Sequence, residues 1–154
     1  MIKLFSQTKT NFMKTKTLIS AFLLFSILSC KNKPEPNLEL FNPQAFAFDI
    51  GDSWEVNASV NAKGFLQNTN NNQFNIKLSY LVDMITPTQD TLKKIFTNTL
   101  ANNQKNEFID VPLEAQIELD STFETGTYKL LFNITDEYSK QKKSIEVEFN
   151  LIKE

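Results

Sequence analysis

The sequence predicts an all-β protein in which two antiparallel sheets stack as a sandwich of about seven strands. Two observations support this fold class. Apolar and polar residues alternate along several segments, which is the period of a strand with one buried and one solvated face. Polar, turn-forming stretches separate these segments at short intervals, as in sandwiches built from short strands.

Strict alternation marks five strands, at residues 54–60, 74–82, 113–119, 128–134 and 145–151. In the last of them, Ile145, Val147, Phe149 and Leu151 alternate with polar residues, so these four side chains are expected to face the core.

Two further strands are expected at residues 45–50 and 91–100. The spacing of apolar residues in the second also fits a helical face, but its content of β-branched and aromatic residues favours a strand. The Asn-rich stretches at residues 68–72 and 102–106 predict loops, the first of them a hairpin tip.

One segment points to a particular type of sandwich. Gly126, Tyr128 and Leu130 resemble the start of strand F in immunoglobulin-like and fibronectin-like domains, where a Gly or Ala precedes a corner-anchoring Tyr. The resemblance implies an Ig-like sandwich over residues 44–154. Antibody domains carry a cysteine where Leu130 stands and a Trp on strand C, whereas Trp54 comes earlier, so the strand order and subtype stay open. The alternative for Tyr128 is an ordinary half-buried strand residue.

Residues 1–29 have the features of a secretory signal, with four lysines, no acidic residue and a helical apolar core. That core covers residues 18–28 and is shorter than the roughly 20 residues of a membrane-spanning helix. Met13 is a second candidate start of translation.

Cys30 is the only cysteine and follows Ile27, Leu28 and Ser29. This arrangement resembles the lipobox of bacterial lipoproteins. The resemblance implies cleavage before Cys30, a diacylglycerol thioether on its sulfur and a further acyl chain such as palmitate. Two or three chains hold a protein firmly on a membrane. The alternative is a free thiol near a processed terminus.

Residues 30–43 are polar and proline-containing, which predicts a flexible tether that reaches roughly 40 Å. The lipobox and a composition rich in Asn and Lys without Arg resemble exported proteins of the Bacteroidota, and this resemblance implies a protein anchored on the outer membrane. Lys31 and Lys33 precede Glu35, and this order favours the periplasmic side over the cell surface.

Charge and residue content exclude several functions. From Cys30 onward there are 18 acidic and 12 basic residues, a balance of −6, so nucleic acid is not an expected partner. The chain has no histidine and three glycines, which removes histidine-dependent nucleophiles, the usual zinc ligands and phosphate-binding glycine loops. Asp49, Asp52 and the acids at 136–137 could bind calcium, but turn chemistry explains them better. No catalytic residue, metal or cofactor is predicted, and the protein is not expected to be an enzyme.

Two tripeptides, Asp90-Thr91-Leu92 and Asp120-Ser121-Thr122, resemble the O-glycosylation site that Bacteroidota use on exported proteins. The resemblance implies modification at Thr91 and Ser121. The alternative is that the aspartates cap turns.

The expected function is that of a non-enzymatic binding or interaction module, held on the membrane through Cys30. Its partner would be an envelope protein or a glycan, with residues 68–73 and 101–106 as candidate contact regions. The alternative is a structural accessory subunit of an envelope machine for secretion, gliding or polymer uptake.

Overall fold

The computed structural model describes residues 35–153. The predictions for the signal peptide, for Met13 and for Cys30 lie outside these residues. The described residues form eight strands and no helix, so this part of the chain contains no helix that could span a membrane. The strands are β1 (Glu39–Asp49), β2 (Ser53–Lys63), β3 (Asn68–Asn70), β4 (Gln73–Ile85), β5 (Thr91–Gln104), β6 (Asp110–Asp120), β7 (Gly126–Asp136) and β8 (Lys142–Leu151).

The strands form two antiparallel sheets, which confirms the predicted sandwich. One sheet has the order β1-β2-β6, and the other has the order β5-β4-β7-β8, with the short β3 also paired to the start of β4. The first, second and sixth strands thus lie opposite the fourth, seventh and eighth. This is the Greek-key arrangement of Ig-like sandwiches, and it supplies the strand order that the sequence left open.

The core lies between the sheets because the apolar residues of each strand alternate inward. On β6 every second residue from Val111 to Leu119 is buried, and β2 alternates in the same way from Trp54 to Ala62. Phe132 on β7 is the largest side chain in the described domain that is fully buried.

Tyr128 anchors a corner of the sandwich, as the resemblance implied. Its hydroxyl donates a hydrogen bond of 2.9 Å to the backbone carbonyl of Glu124, four residues upstream, and its ring stacks on Phe149 with centroids 5.5 Å apart. A hydroxyl bonded to upstream backbone in this way defines the tyrosine corner. Position 126 favours glycine because a Cβ there would lie only 2.9 Å from Cγ of Pro87.

The domain begins earlier than predicted. The tether was expected to extend to Pro43, but Leu38 is fully buried and β1 starts at Glu39. Gln141, in the β7–β8 turn, accepts a hydrogen bond of 2.8 Å from the Leu38 amide and donates to the Pro36 carbonyl. The tether prediction is therefore wrong for residues 38–43, because distant partners fix a segment that looks unstructured in the sequence alone.

The two Asn-rich stretches are also more regular than expected. Asn71 and Asn72 both have positive φ and form the tip of a β3–β4 hairpin, so the hairpin prediction is confirmed there. Residues 102–104, predicted to be loop, instead continue β5, because Asn102 and Asn103 pair with Ile76 and Asn75 of β4.

Candidate binding cleft

The outward face of the β1-β2-β6 sheet carries a mixed aromatic and amide surface. Phe46 on β1, Asn57 on β2 and Gln116 on β6 are directly opposite one another in register. Opposite residues on neighbouring strands have Cβ atoms roughly 4.5–5.5 Å apart, so these three side chains form one continuous row.

Two phenylalanines on β1 point into solvent. Phe46 is 58% exposed and Phe48 is 55% exposed, while Ala45 and Ala47, which alternate with them, pack towards the core. Exposed aromatic residues that lie together commonly mark an interaction site.

A cleft of about 930 Å³ runs from this face to β5. The outward residues of β1, β2 and β6 line one side, and β5 with Tyr80 of β4 lines the other. The side chains that give the cleft its chemistry are Gln44, Phe46, Asn57, Ser59, Tyr80, Phe96, Asn98, Glu114 and Gln116.

Tyr80 joins the two sides of the cleft. Its hydroxyl donates to the Glu114 backbone carbonyl at 2.6 Å and accepts a hydrogen bond from the Asn98 side-chain amide at 3.3 Å. Its ring packs against Phe96 with centroids 6.1 Å apart. Burial raises the pKa of Tyr80, although its hydrogen bonds oppose that effect, so the phenol is neutral at physiological pH.

The lining is nearly uncharged. Among residues 35–153, no lysine lines the cleft and Glu114 is the single acidic residue that does. Side-chain amides both donate and accept hydrogen bonds, and hydroxyls do the same. The cleft can therefore bind a polar, uncharged ligand with many hydroxyl or amide groups, and it offers nothing to neutralise an anion.

Two buried carboxylates lie outside the cleft, and both hold backbone in place. Asp136 is fully buried and accepts hydrogen bonds from the amides of Leu66 and Tyr138 and from the Ser139 hydroxyl. This network accounts for the acid at position 136, one of the candidate calcium ligands. Among residues 35–153, no three His, Cys, Asp or Glu side chains lie close enough to hold a metal ion.

Asp83, on β4, is the second buried carboxylate. It accepts a hydrogen bond of 2.8 Å from the Lys94 amide and one of 3.1 Å from the Lys93 ammonium. Burial by itself raises the pKa of Asp83, but these hydrogen bonds and the lysine charges outweigh it, so the pKa lies below its ordinary value. The contact fixes the irregular start of β5, where Lys94 has a positive φ.

The other candidate residues lie at turns. Asp49 accepts a hydrogen bond from the Gly51 amide at 2.9 Å, which is the turn chemistry proposed as the alternative to calcium. Asp120 accepts hydrogen bonds from both the amide and the hydroxyl of Thr122. The hydroxyl bond lowers the pKa of the Asp120 carboxyl most, followed by the amide bond.

The predicted modification sites Thr91 and Ser121 are both exposed, at the start of β5 and in the β6–β7 turn. Strand register places them at the same end of the sandwich. The candidate contact regions 68–73 and 101–106 lie at the other end, near Leu38, and most of their residues belong to β3, β4 and β5 rather than to loops.

The sequence analysis missed the cleft itself. The pattern Ala45-Phe46-Ala47-Phe48 predicts a strand but does not say which face is buried. Phenylalanine is fully buried more often than alanine, yet here the alanines face the core. The alternation of alanine with phenylalanine signals only that both faces of this strand are apolar, so that one apolar face stays exposed when the other packs on the core.

Comparison with known proteins adds little to these observations. No protein-family model and no curated protein matches the chain. Among solved structures it is similar to a family 123 glycoside hydrolase from Clostridium perfringens, at 13% identity over 64% of this chain and 21% of that chain, with a TM-score of 0.40. It is also similar to beta-glucosidase 3B from Thermotoga neapolitana, at 12% identity over 75% of this chain and 17% of that chain, with a TM-score of 0.39. The chain spans about a fifth of either enzyme, and similarity at this level says nothing of its function.

Proposed function

We propose that this protein is a lipid-anchored, non-enzymatic binding module and that its cleft takes a neutral glycan. The observation that supports the proposal is the cleft lining, in which an exposed Phe46 lies beside a row of amides and hydroxyls, with no cation among the lining residues that the structure describes. Cys30 would carry the anchor and hold the domain on the outer membrane, on its periplasmic side.

A glycan fits this surface for two reasons. Sugar hydroxyls both donate and accept hydrogen bonds, which matches Gln44, Asn57, Asn98 and Gln116 in the cleft. The C–H face of a sugar ring is apolar and packs well on an aromatic ring such as Phe46.

With an anchor at Cys30, the early start of the domain would hold the cleft close to the membrane. Pro36 is six residues from Cys30, and six extended residues span at most about 22 Å. This is about half the reach that the sequence predicted. A domain on so short a connection would bind polymers near the membrane surface rather than reach far from it.

The test is direct binding of the full chain, purified in detergent, to neutral oligosaccharides of glucose, xylose and N-acetylglucosamine, measured by calorimetry and NMR titration. We expect weak binding by at least one series. Phe46→Ala should weaken it about two- to tenfold, since an aromatic contact contributes about 0.5–1.5 kcal/mol. Gln116→Ala should weaken it as well, while Ile109→Ala, an exposed residue outside the cleft, should not change it.

Binding that is indifferent to Phe46→Ala would exclude the cleft as the site. No binding by any of the series, together with a stable stoichiometric complex after crosslinking in native membranes, would instead favour the accessory-subunit alternative. The anchor is tested separately, because Cys30→Ser should abolish lipid labelling and shift the chain out of the membrane fraction.

A further inference from the structure

Apart from the three-residue β3, the sandwich has four edge strands, β1 and β6 in one sheet and β5 and β8 in the other. An edge strand exposes unpaired backbone groups to which another strand can bind, and proteins usually protect it with proline, charge or a bulge. On β1 the protection is Pro43 together with a register shift between Phe41 and Gln44.

The edges β6 and β8 are protected as well. Pro112 interrupts the donors of β6, and Glu114 and Glu118 add charge to it. The edge strand β8 is protected by four charged residues, Lys142, Lys143, Glu146 and Glu148.

The fourth edge, β5, lacks these features over most of its length. Residues 95–104 contain no charged residue, no proline and no glycine, and seven of these ten residues are exposed. They are paired in register with β4 on one side only. A long, uncharged strand with one free edge can accept another strand by β-augmentation.

We propose that two copies of this chain associate by antiparallel pairing of their β5 strands about a two-fold axis. The pairing would join the two β5-β4-β7-β8 sheets into one continuous sheet. This inference does not depend on the glycan proposal.

A second copy is favoured over head-to-tail assembly because of the other edges. With β1, β6 and β8 protected, the edge within this domain that can best receive β5 is another β5. Pairing of identical surfaces about a two-fold axis also gives a closed dimer, the commonest symmetric assembly.

The charges of β5 are compatible with this symmetry. In an antiparallel pair centred on residue 98, 99 or 100, Lys94 lies opposite Asn102, Gln104 or Asn106, respectively. Lys93 lies opposite Asn103, Lys105 or Glu107 in the same three registers, so only the pair centred on residue 99 brings two lysines together, and the charges favour the pairs centred on 98 or 100. Residues 91–106 also contain no acidic residue, so the dimer brings together a part of the surface that is free of the chain's excess negative charge.

Disulfide crosslinking tests the geometry. In a full chain with Cys30→Ser, purified in detergent, Asn98→Cys, Thr99→Cys and Leu100→Cys would each supply the single thiol. A residue at the two-fold axis faces its own copy at a Cα distance of about 4.5–5.5 Å, within the range for a disulfide. Two positions along the strand, the distance between copies grows to about 13 Å. We therefore expect a covalent dimer that is strongest at one of the three positions, with little at the control Thr69→Cys on β3.

Charge at the edge tests the energetics. The double variant Thr97→Lys and Thr99→Lys brings like charges together across the axis, and we expect at least a tenfold rise in the dimer dissociation constant measured by analytical ultracentrifugation. Thr69→Lys, on a strand away from this edge, should leave it unchanged.

A wild-type chain that stays monomeric at high micromolar concentration would overturn the proposal. Crosslinking at all three positions no stronger than at residue 69 would do so too. Crosslinks in native membranes that join β5 to a different protein, and not to a second copy, would show that the edge serves a foreign strand.

Discussion

Gly64 provides the sharpest test of how the start of the domain is held. It has a φ of +69°, and a Cβ at this position would lie 2.1 Å from the carbonyl oxygen of Asn37. The obstacle is backbone, so it cannot be relieved by rotating a side chain. Gly64→Ala should therefore displace Asn37 and with it the neighbouring Leu38.

The expected cost has two parts. A side chain in the left-handed region costs about 1–2 kcal/mol. Displacing Leu38, which is fully buried, loses about 1.5–3 kcal/mol of hydrophobic stabilisation. Gly51→Ala is a matched control because Gly51 also has a positive φ, of +95°, but nothing lies within 4 Å of its Cβ position. It should carry the first cost without the second.

Urea unfolding followed by fluorescence measures the difference. Trp54 is the only tryptophan and is 2% exposed, so its emission reports on the core. We expect Gly64→Ala to lower the free energy of unfolding by about 1.5–3 kcal/mol more than Gly51→Ala does. Hydrogen exchange should also show loss of protection at the Leu38 amide, which is bonded to Gln141. Equal destabilisation by the two variants, with the Leu38 amide still protected, would refute this account of the segment.

Two further predictions concern Asp83 and Tyr128. Asp83 has a lowered pKa in the folded state, so its stabilising contribution is present above the unfolded pKa of about 3.9 and is lost as the pH falls through the folded value. Asp83→Asn should lower the free energy of unfolding by about 1.5–3 kcal/mol at pH 7 and reduce the further loss of stability below pH 4 in acid titrations. If the variant and the wild type lose stability in parallel below pH 4, the lowered pKa of Asp83 is contradicted. Tyr128→Phe removes the hydroxyl bonded to the Glu124 carbonyl. It should lower the free energy of unfolding, measured in urea, by about 0.5–1.5 kcal/mol. A loss of stability no larger than that caused by Tyr138→Phe would argue against a corner role.

Much of the fold could be predicted because its information is local. Where polar and apolar residues alternate, as at Ile145, Val147 and Phe149, the period alone defines a strand and its inward face. The corner at Tyr128 could also be recognised, because its partner, Glu124, lies only four residues away.

Predictions were wrong where a distant segment decides the structure. Residues 38–43 look like a tether, yet Leu38 is buried and its amide bonds to a residue 103 positions later. Residues 102–104 look like a loop, but β4 offers them a partner along its full length. The cleft belongs to this second class, since its lining comes from β1, β2, β4, β5 and β6.

The sequence by itself determined the class of fold, the period of its strands and the residue types that are missing from its chemistry, because each of these depends on composition or on neighbours within a few positions. Only the tertiary structure decided where the domain begins, which aromatic rings face solvent and which strand edge is open. Those properties depend on pairing between residues far apart in the chain, and no local pattern encodes the partner.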